Sequence, residues 1–455
     1  MRIVITGGTG LIGTALATKL SSDNDEVVLL SRKPESVKHL PRQVRAVGWD
    51  GKTQGEWSKE LEGADAVINL AGASIAGDNP LKMRWTPARK TEILNSRLDA
   101  GKVIGEAIRN AKNKPKVLIQ AAAVGFYGPQ AANEMREDAP AGRDFLAEVC
   151  REWEDSTKAV EAMTRRVVIR TGLVLSPEGG IFSFLKLPFM LFAGGPIGSG
   201  KQYMPWIHID DLVNAILFLI EEKTAKGIFN LTAPELVTNT IFGQALGKSI
   251  KRPALIPVPG FVLKLALGEA ATLALDGQRA VSDKLQRAGY GFKFGELGDA
   301  LADLAKPMRR FTRSFEVPAS KKAVSEFHHD TKVLKQLTPL PVIVQFKNVE
   351  KLAEGSVAEF VLWVGPIPVR WQATHEDVDP AEGFVDVQTE GPFLTWVHRH
   401  SFVAIDEKLT RVIDHLDIRL GKGLFNGLIS WGMWVTLPIL FAFRARQTKR
   451  LLSKS

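Results

Sequence analysis

The sequence predicts an α/β chain in two parts. Residues 1–305 read as a doubly wound parallel sheet, and residues 308–455 as a separate α+β domain with an antiparallel sheet. Three observations carry this. The length of 455 residues suits two or three domains. Strand-like and helix-like runs alternate up to about residue 305, the pattern of a parallel sheet covered on both faces. After the basic segment at 306–310, short alternating strands follow one another and a single long apolar run closes the chain.

The first strand is Arg2–Thr6, followed by VVLLS (27–31), AVINLAG (66–72), KVLIQAAA (116–123), RVVIRTG (166–172) and IFNLT (228–232). Helices are expected at 11–21, 94–112, 144–163 and 210–222. In the second part, strands are expected at 310–317, 359–363, 369–378, 384–391 and 410–420.

Composition narrows the class. With 45% apolar and 24% charged residues the chain is neither disordered nor fibrous. The lone Cys150 excludes a disulfide framework and any Cys-rich metal site, and suits a reducing, cytoplasmic setting. Of the net charge of +9, five basic residues lie in the tail, at Arg444, Arg446, Lys449, Arg450 and Lys454. No basic nucleic-acid face is expected. The chain opens directly on a strand, so no secretory signal is expected. Leu424 to Phe443 carries no charge and is long enough to span a bilayer. Because Asn426, Ser430, Thr436 and Pro438 dilute it, a helix buried against a sheet is expected, with membrane contact as the alternative.

The most informative motif is Thr6-Gly7-Gly8-Thr9-Gly10-Leu11-Ile12-Gly13, set between a strand and an amphipathic helix. Gly7 allows the tight turn, Gly10 lets backbone approach a pyrophosphate, and Gly13 lets the helix pack close to the sheet. The helix start supplies amides and partial positive charge to the anion. At the end of the second strand, NAD sites carry an acid for the ribose hydroxyl. Here stand Ser31, Arg32 and Lys33, which suit a 2′-phosphate, so NADP(H) is expected. Asp50 and Leu70-Ala71-Gly72 follow later strands, where adenine and ribose meet the loops.

TGGTGLIG, NLAG (69–72), GFYG (125–128), RTGLVL (170–175) and WIHIDDL (206–212) resemble an extended short-chain dehydrogenase/reductase. RW at 84–85, SR at 96–97, CREWE at 150–154, GGPIGSGKQ at 194–202 and RPALIPVPGFVLKLALGE at 252–269 resemble, more narrowly, the atypical epimerase-like family, also called nucleoside-diphosphate-sugar-epimerase-like. The resemblance covers about residues 1–303. It implies a Rossmann-type core, an NADP site, and a small C-terminal lobe, mainly 173–205 and 235–303, lining a substrate cleft.

The superfamily's usual chemistry is missing. A Tyr-x-x-x-Lys pair on a helix normally supplies the acid or base. None of Tyr127, Tyr203 and Tyr290 is followed by Lys at that spacing. Cys150 takes the Tyr place and Glu154 the Lys place, while Ala121, Ala122 and Ala123 stand where a Ser or Thr is usual. Cys150 and Glu154, one turn apart, are candidate catalytic groups, with a small buried packing residue as the alternative for Cys150. Tyr127 is a third candidate, able to reach the cleft or to serve as a structural aromatic. Arg84, Lys90 and Arg97 could hold an anionic substrate group or be solvated helix charges. His208 belongs to a structural motif in which Asp210 or Asp211 is expected to cap the next helix.

Residues 308–455, most specifically GPIPVRW and GPFLTWVHRH, resemble the START-like ligand-binding and cyclase superfamily. That resemblance implies a helix-grip fold, in which a curved antiparallel sheet wraps a long C-terminal helix around a mostly apolar pocket for a lipid or other hydrophobic ligand. Trp363, Trp371, Trp396, Trp431 and Trp434 concentrate aromatic surface here. His398 and His400 share a strand face, but with no further ligand evident a polar lining is expected and no metal. The function expected is an epimerase-like NADP(H) oxidoreductase coupled to a hydrophobic-ligand domain. The competing class is a non-catalytic NADP(H)-responsive carrier or sensor.

Overall fold

The computed structural model describes residues 1–22, 25–37, 43–77, 83–305, 308–421 and 423–453. The chain divides into two compact units, Met1–Ala305 and Lys306–Ser455. Lys306 and Lys454, singled out above, lie outside the described residues.

The first unit is built on a seven-stranded parallel sheet. Its strands are β1 (Arg2–Thr6), β2 (Glu26–Ser31), β3 (Val44–Gly48), β4 (Ala66–Asn69), β5 (Val117–Ala123), β6 (Arg165–Thr171) and β7 (Gly227–Leu231), in the order β7-β6-β5-β4-β1-β2-β3. Alternation along each strand decides which helices cover which face. Ile3, Ile5, Ile68 and Ile119 pack with Leu16 of α1 (Leu11–Ser22) and with Leu212 and Ile216 of Ile209–Glu221. Val4, Val28, Val67 and Leu118 face the other way, onto Val103 and Ile104 of α2 (Pro87–Asn110) and onto Trp57. A sheet buried on both faces requires near-continuous apolar strands, which these are.

Helix starts follow their caps. The Thr86 hydroxyl accepts from Arg89 N before α2, and the Asp144 carboxylate accepts from Ala147 N before α3 (Phe145–Asp155). That helix ends at Asp155, short of the expected 163. Ahead of α4 (Ile209–Glu221) the cap is His208, whose Nδ1 accepts from Asp210 N at 3.1 Å. The expected aspartate cap is thus corrected. Asp211 instead is wholly buried and takes the amides of Lys293 and Phe294 and the Tyr290 hydroxyl, tying down the 290–294 segment.

The second unit is a seven-stranded antiparallel sheet. It comprises β8 (Arg309–Val317), β9 (Val342–Val349), β10 (Val357–Val364), β11 (Ile367–Asp379), β12 (Gly383–Glu390), β13 (Thr395–Ala404) and β14 (Thr410–Arg419). The order is β8-β14-β13-β12-β11-β10-β9, so the first strand closes against the last. α5 (Lys321–His329) follows β8, and α6 (Leu424–Leu452) ends the unit.

The expectation of a buried closing helix needs correction. α6 buries Leu437, Phe441 and Ala445, but Leu428 is 67% and Ile439 70% exposed, and Trp431 and Val435 lie on the same exposed stripe. Its apolar residues run around most of the helix, whereas the sheet covers one side. By length and composition α6 could cross a membrane.

Candidate functional site

The crevice of the first unit opens where the strand order reverses, between β1 and β4, the usual ligand position in such sheets. Gly7 has φ +65°, and a Cβ there would lie 2.9 Å from Leu70 O. At Gly13 a Cβ would meet Gly8 Cα at 2.5 Å, so only glycine lets α1 start this close to the loop. Gly10 N donates to Gly7 O at 3.0 Å, closing the turn. A cavity of about 390 Å³ lies over this turn, lined by Gly7, Gly10, Leu11, Ile12, Gly13 and Leu70, among others. Thr9 is exposed at the rim.

Behind the loop runs a buried relay that the sequence reasoning missed. Thr6 Oγ1 donates to Asn69 Oδ1 at 2.7 Å and accepts from the amides of Leu70 and Ala71. Asn69 Nδ2 donates to Gln120 Oε1 at 3.0 Å. The relay ties the ends of β1, β4 and β5 together and fixes the 70–72 loop. Uncompensated Asn and Gln inside a buried strand were the available signal.

At the far end of β2, Ser31 is buried and its hydroxyl accepts from Lys33 N at 3.2 Å, while Arg32 is exposed. Asp50 is spent locally. Its carboxylate accepts from Lys52 N, Thr53 N and the Thr53 hydroxyl, and these bonds hold it down at about 2. The residue shapes its turn and remains an ionised group at the loop surface.

Arg97 is not a cleft cation. It is buried, its Nη1 donates to Ala73 O and Ile93 O, and its guanidinium lies 4.8 Å from the Trp153 ring centroid. Burial pulls its pKa down to about 10. From there it braces the 71–73 backbone, with Gly72 leaving it room. Arg84 is exposed beside Gly268, and Lys90 pairs with Glu269.

On α3 the two candidate groups part company. Cys150 is buried, and burial, then the Glu154 charge, push its thiol up to about 12. Glu154 is taken by Arg170 of β6 in a bidentate pair, Nε to Oε1 at 2.7 Å and Nη2 to Oε2 at 2.9 Å. Arg170 Nη1 also donates to the Tyr127 hydroxyl, which donates to Asn230 Oδ1 at 2.7 Å. Tyr127 is 0% exposed, so it does not reach the cleft as the sequence allowed. Arg170, a charge inside a buried strand, needed such a carboxylate partner.

The second unit holds a cavity of about 620 Å³ between the sheet and α6. Its walls are apolar, including Leu334, Phe360, Trp371, Trp396, Met433 and Leu440. Trp371 and Trp396 meet edge to face at 5.1 Å. Trp431 is half-exposed instead. At one part of the wall the lining turns polar, with His375, Asp386, His398, His400 and Arg444. His398 and His400 therefore have the carboxylate company that the sequence did not reveal. Burial and the neighbouring His400 charge push His398 down to about 4. His400 stands at about 9, because bonds to Asp386 and Asp414 outweigh its burial.

With this geometry in place, likeness to known proteins decides the family. The NAD-dependent epimerase/dehydratase family model matches residues 3–177, and a domain of unknown function, DUF1731, matches 258–304. An epimerase family protein of Staphylococcus saprophyticus is 40% identical over 305 residues, covering 66% of this chain and 98% of that protein. The chain belongs to the epimerase family. A chloroplastic member from Arabidopsis thaliana is 38% identical over 303 residues, covering 66% of this chain and 86% of that protein. The human epimerase family protein SDR39U1, whose crystal structure was solved with NADPH, is 37% identical with a TM-score of 0.61. That likeness covers 67% of this chain and 99% of the human one. The epimerase-family portion thus carries the Rossmann-like parallel sheet and the glycine loop.

Proposed function

We propose that Met1–Ala305 is an NADP(H)-dependent, epimerase-like oxidoreductase unit acting on a small-molecule substrate. The carrying observation is the glycine cradle, which a single Cβ at Gly7 or Gly13 would fill, facing a β2 end that bears Ser31 and Arg32 in place of an acid. The human relative solved with NADPH supports the same cofactor. When bound, the nicotinamide supplies or accepts hydride. Gly7, Thr9, Gly10, Leu11, Ile12 and Gly13 would hold the pyrophosphate, Leu70, Ala71 and Gly72 the ribose, and Ser31 with Arg32 the 2′-phosphate. Asp50 would border the adenine end.

The acid must be unusual. Cys150, protonated through the physiological range, is the acid we assign on α3, and burial makes it a weak one in the substrate-free protein. Arg84 is the exposed cation placed to meet an anionic substrate group.

For the second unit we propose a START-like helix-grip domain that holds a hydrophobic or lipid-like ligand. The 620 Å³ cavity between sheet and helix supports it, being in the usual range for ligand pockets and lined mainly by apolar side chains. The protein acts in a reducing compartment, taken here as the cytoplasm, in keeping with its single buried thiol.

The closed Glu154–Arg170–Tyr127 network favours a second reading, a carrier or sensor whose dinucleotide unit binds without turnover. Mass spectrometry of small molecules co-purifying with the full chain identifies candidate ligands, which are then returned to the protein with NADPH. Substrate-dependent NADPH oxidation supports the oxidoreductase. Ligand affinity that changes with NADPH, without oxidation, supports the carrier.

A further inference from the structure

The strand register of the second unit gathers polar groups on the face turned toward the cavity. His375 of β11 stands opposite Asp386 of β12, which stands opposite His398 of β13. His400, two residues further along β13, stands opposite Asp414 of β14. Residues directly opposite in adjacent strands share a face, so all five side chains project to one side.

Their contacts are ordered. Asp414 Oδ1 lies 3.2 Å from His398 Nε2 and 3.0 Å from His400 Nδ1. The other nitrogens of the two rings, His398 Nδ1 and His400 Nε2, lie 3.7 and 3.3 Å from Asp386 Oδ2. His375 repeats the pattern. Its Nδ1 lies 3.0 Å from the Ser356 carbonyl oxygen and 3.1 Å from the Ser356 hydroxyl. Its Nε2 lies 3.3 Å from Asp386 Oδ1.

We propose that Asp386, His398 and His400 form a binding site for a divalent first-row transition metal ion, with Asp414 as the carboxylate that orients the two histidines. One atom from each of Asp386, His398 and His400 falls within 4.8 Å of the others. Ligands about 2.0–2.2 Å from a common ion stand roughly 3–3.5 Å apart, and Asp386 Oδ2 lies 3.3 Å from His400 Nε2 and 3.7 Å from His398 Nδ1. Imidazole and carboxylate donors select Zn²⁺, Fe²⁺ and their neighbours over Ca²⁺ or Mg²⁺. The role of Asp414 is that of outer carboxylates in metal–histidine sites, which fix the tautomer and ring orientation.

Asp386, His398 and His400 all line the cavity, so an open coordination position would face its interior. A ligand entering the cavity with an oxygen at its leading end could bind the ion directly. This goes beyond the proposed hydrophobic-ligand role, and metal binding can be tested without any such ligand.

The full chain is stripped with a chelator, dialysed, and titrated with ZnCl₂ by calorimetry and with CoCl₂ by visible absorption. Expected are saturation at about one ion per chain and d–d bands of histidine-ligated Co²⁺. His398→Ala and Asp386→Asn should each weaken Zn²⁺ by at least about 100-fold, and Asp414→Asn by roughly 10–100-fold, the usual range for an outer carboxylate. Thermal transitions check that each variant is folded. Absence of saturable Co²⁺ bands in the wild type overturns the proposal without recourse to any variant. So does full-strength Zn²⁺ binding by folded His398→Ala and Asp386→Asn.

Discussion

Glu154 and Arg170 face each other through two parallel hydrogen bonds of 2.7 and 2.9 Å, and both are buried. The helix position that supplies a catalytic lysine in ordinary relatives therefore supplies half of an internal ion pair here. Removing one partner strands the other's charge in a place water barely reaches. Glu154→Gln should lower stability by about 3–5 kcal/mol, as for broken buried pairs. Glu154→Gln combined with Arg170→Met should recover part of that loss. NADPH affinity, measured in the folded variant at low temperature, should change little. If Glu154→Gln is as stable as wild type but loses turnover, Glu154 is catalytic and the structural assignment fails.

Cys150 offers a pH signature. Its thiol is raised to about 12 in the folded chain, above the ordinary 9.0. The folded state thus binds more proton than the unfolded state between these values, and stability falls as pH rises through that window. The slope approaches about 1.4 kcal/mol per pH unit. Cys150→Ala should reduce that slope in chemical denaturation at pH 9–11, leaving the part that Tyr127 and Tyr290, both also raised by burial, contribute. At pH 8 a thiol reagent should label native protein at least about 100-fold more slowly than unfolded protein. Equal labelling rates would contradict a buried, protonated thiol.

The glycine loop gives a steric test. A methyl at Gly13 would fall 2.5 Å from Gly8 Cα, a distance no side chain tolerates. Gly13→Ala should displace α1 from the loop and weaken NADPH by at least about 100-fold. Gly10→Ala, whose Cβ would meet only Gly7 O at 3.2 Å, should cost less. The reverse ranking, by fluorescence titration, would mean that the loop does not form the cradle.

The two units are expected to fold separately, because each has its own core clusters. Fragments 1–305 and 308–455 should each melt cooperatively, with NADPH raising only the first transition. A second fragment that is insoluble would point instead to the exposed stripe of α6 around Leu428 and Ile439.

Much of the first unit was legible in the sequence. Apolar strands such as Val27–Ser31 and glycines at fixed offsets encode local geometry, and β2, β5, β6 and β7 fall within a residue or two of expectation. Long-range pairing was less legible. Nothing near Glu154 in sequence names Arg170 as its partner, and nothing near His398 points to Asp386 or His375, which only the sheet register brings together. β9 was missed because Val342–Val349 alternates weakly, and β13 was not among the expected strands although His398 and His400 were read as sharing a strand face. α6 was misjudged because an uncharged run reports apolarity, not what stands opposite to cover it.

The central claim is the cofactor, and one titration tests it most directly. Because Ser31 and Arg32 stand where a ribose-binding acid would exclude a 2′-phosphate, NADPH should bind the full chain at least about tenfold tighter than NADH, the worth of one charge-assisted contact. Arg32→Ala should remove that preference and leave NADH affinity unchanged. Equal affinities for NADPH and NADH in the wild type would contradict the account.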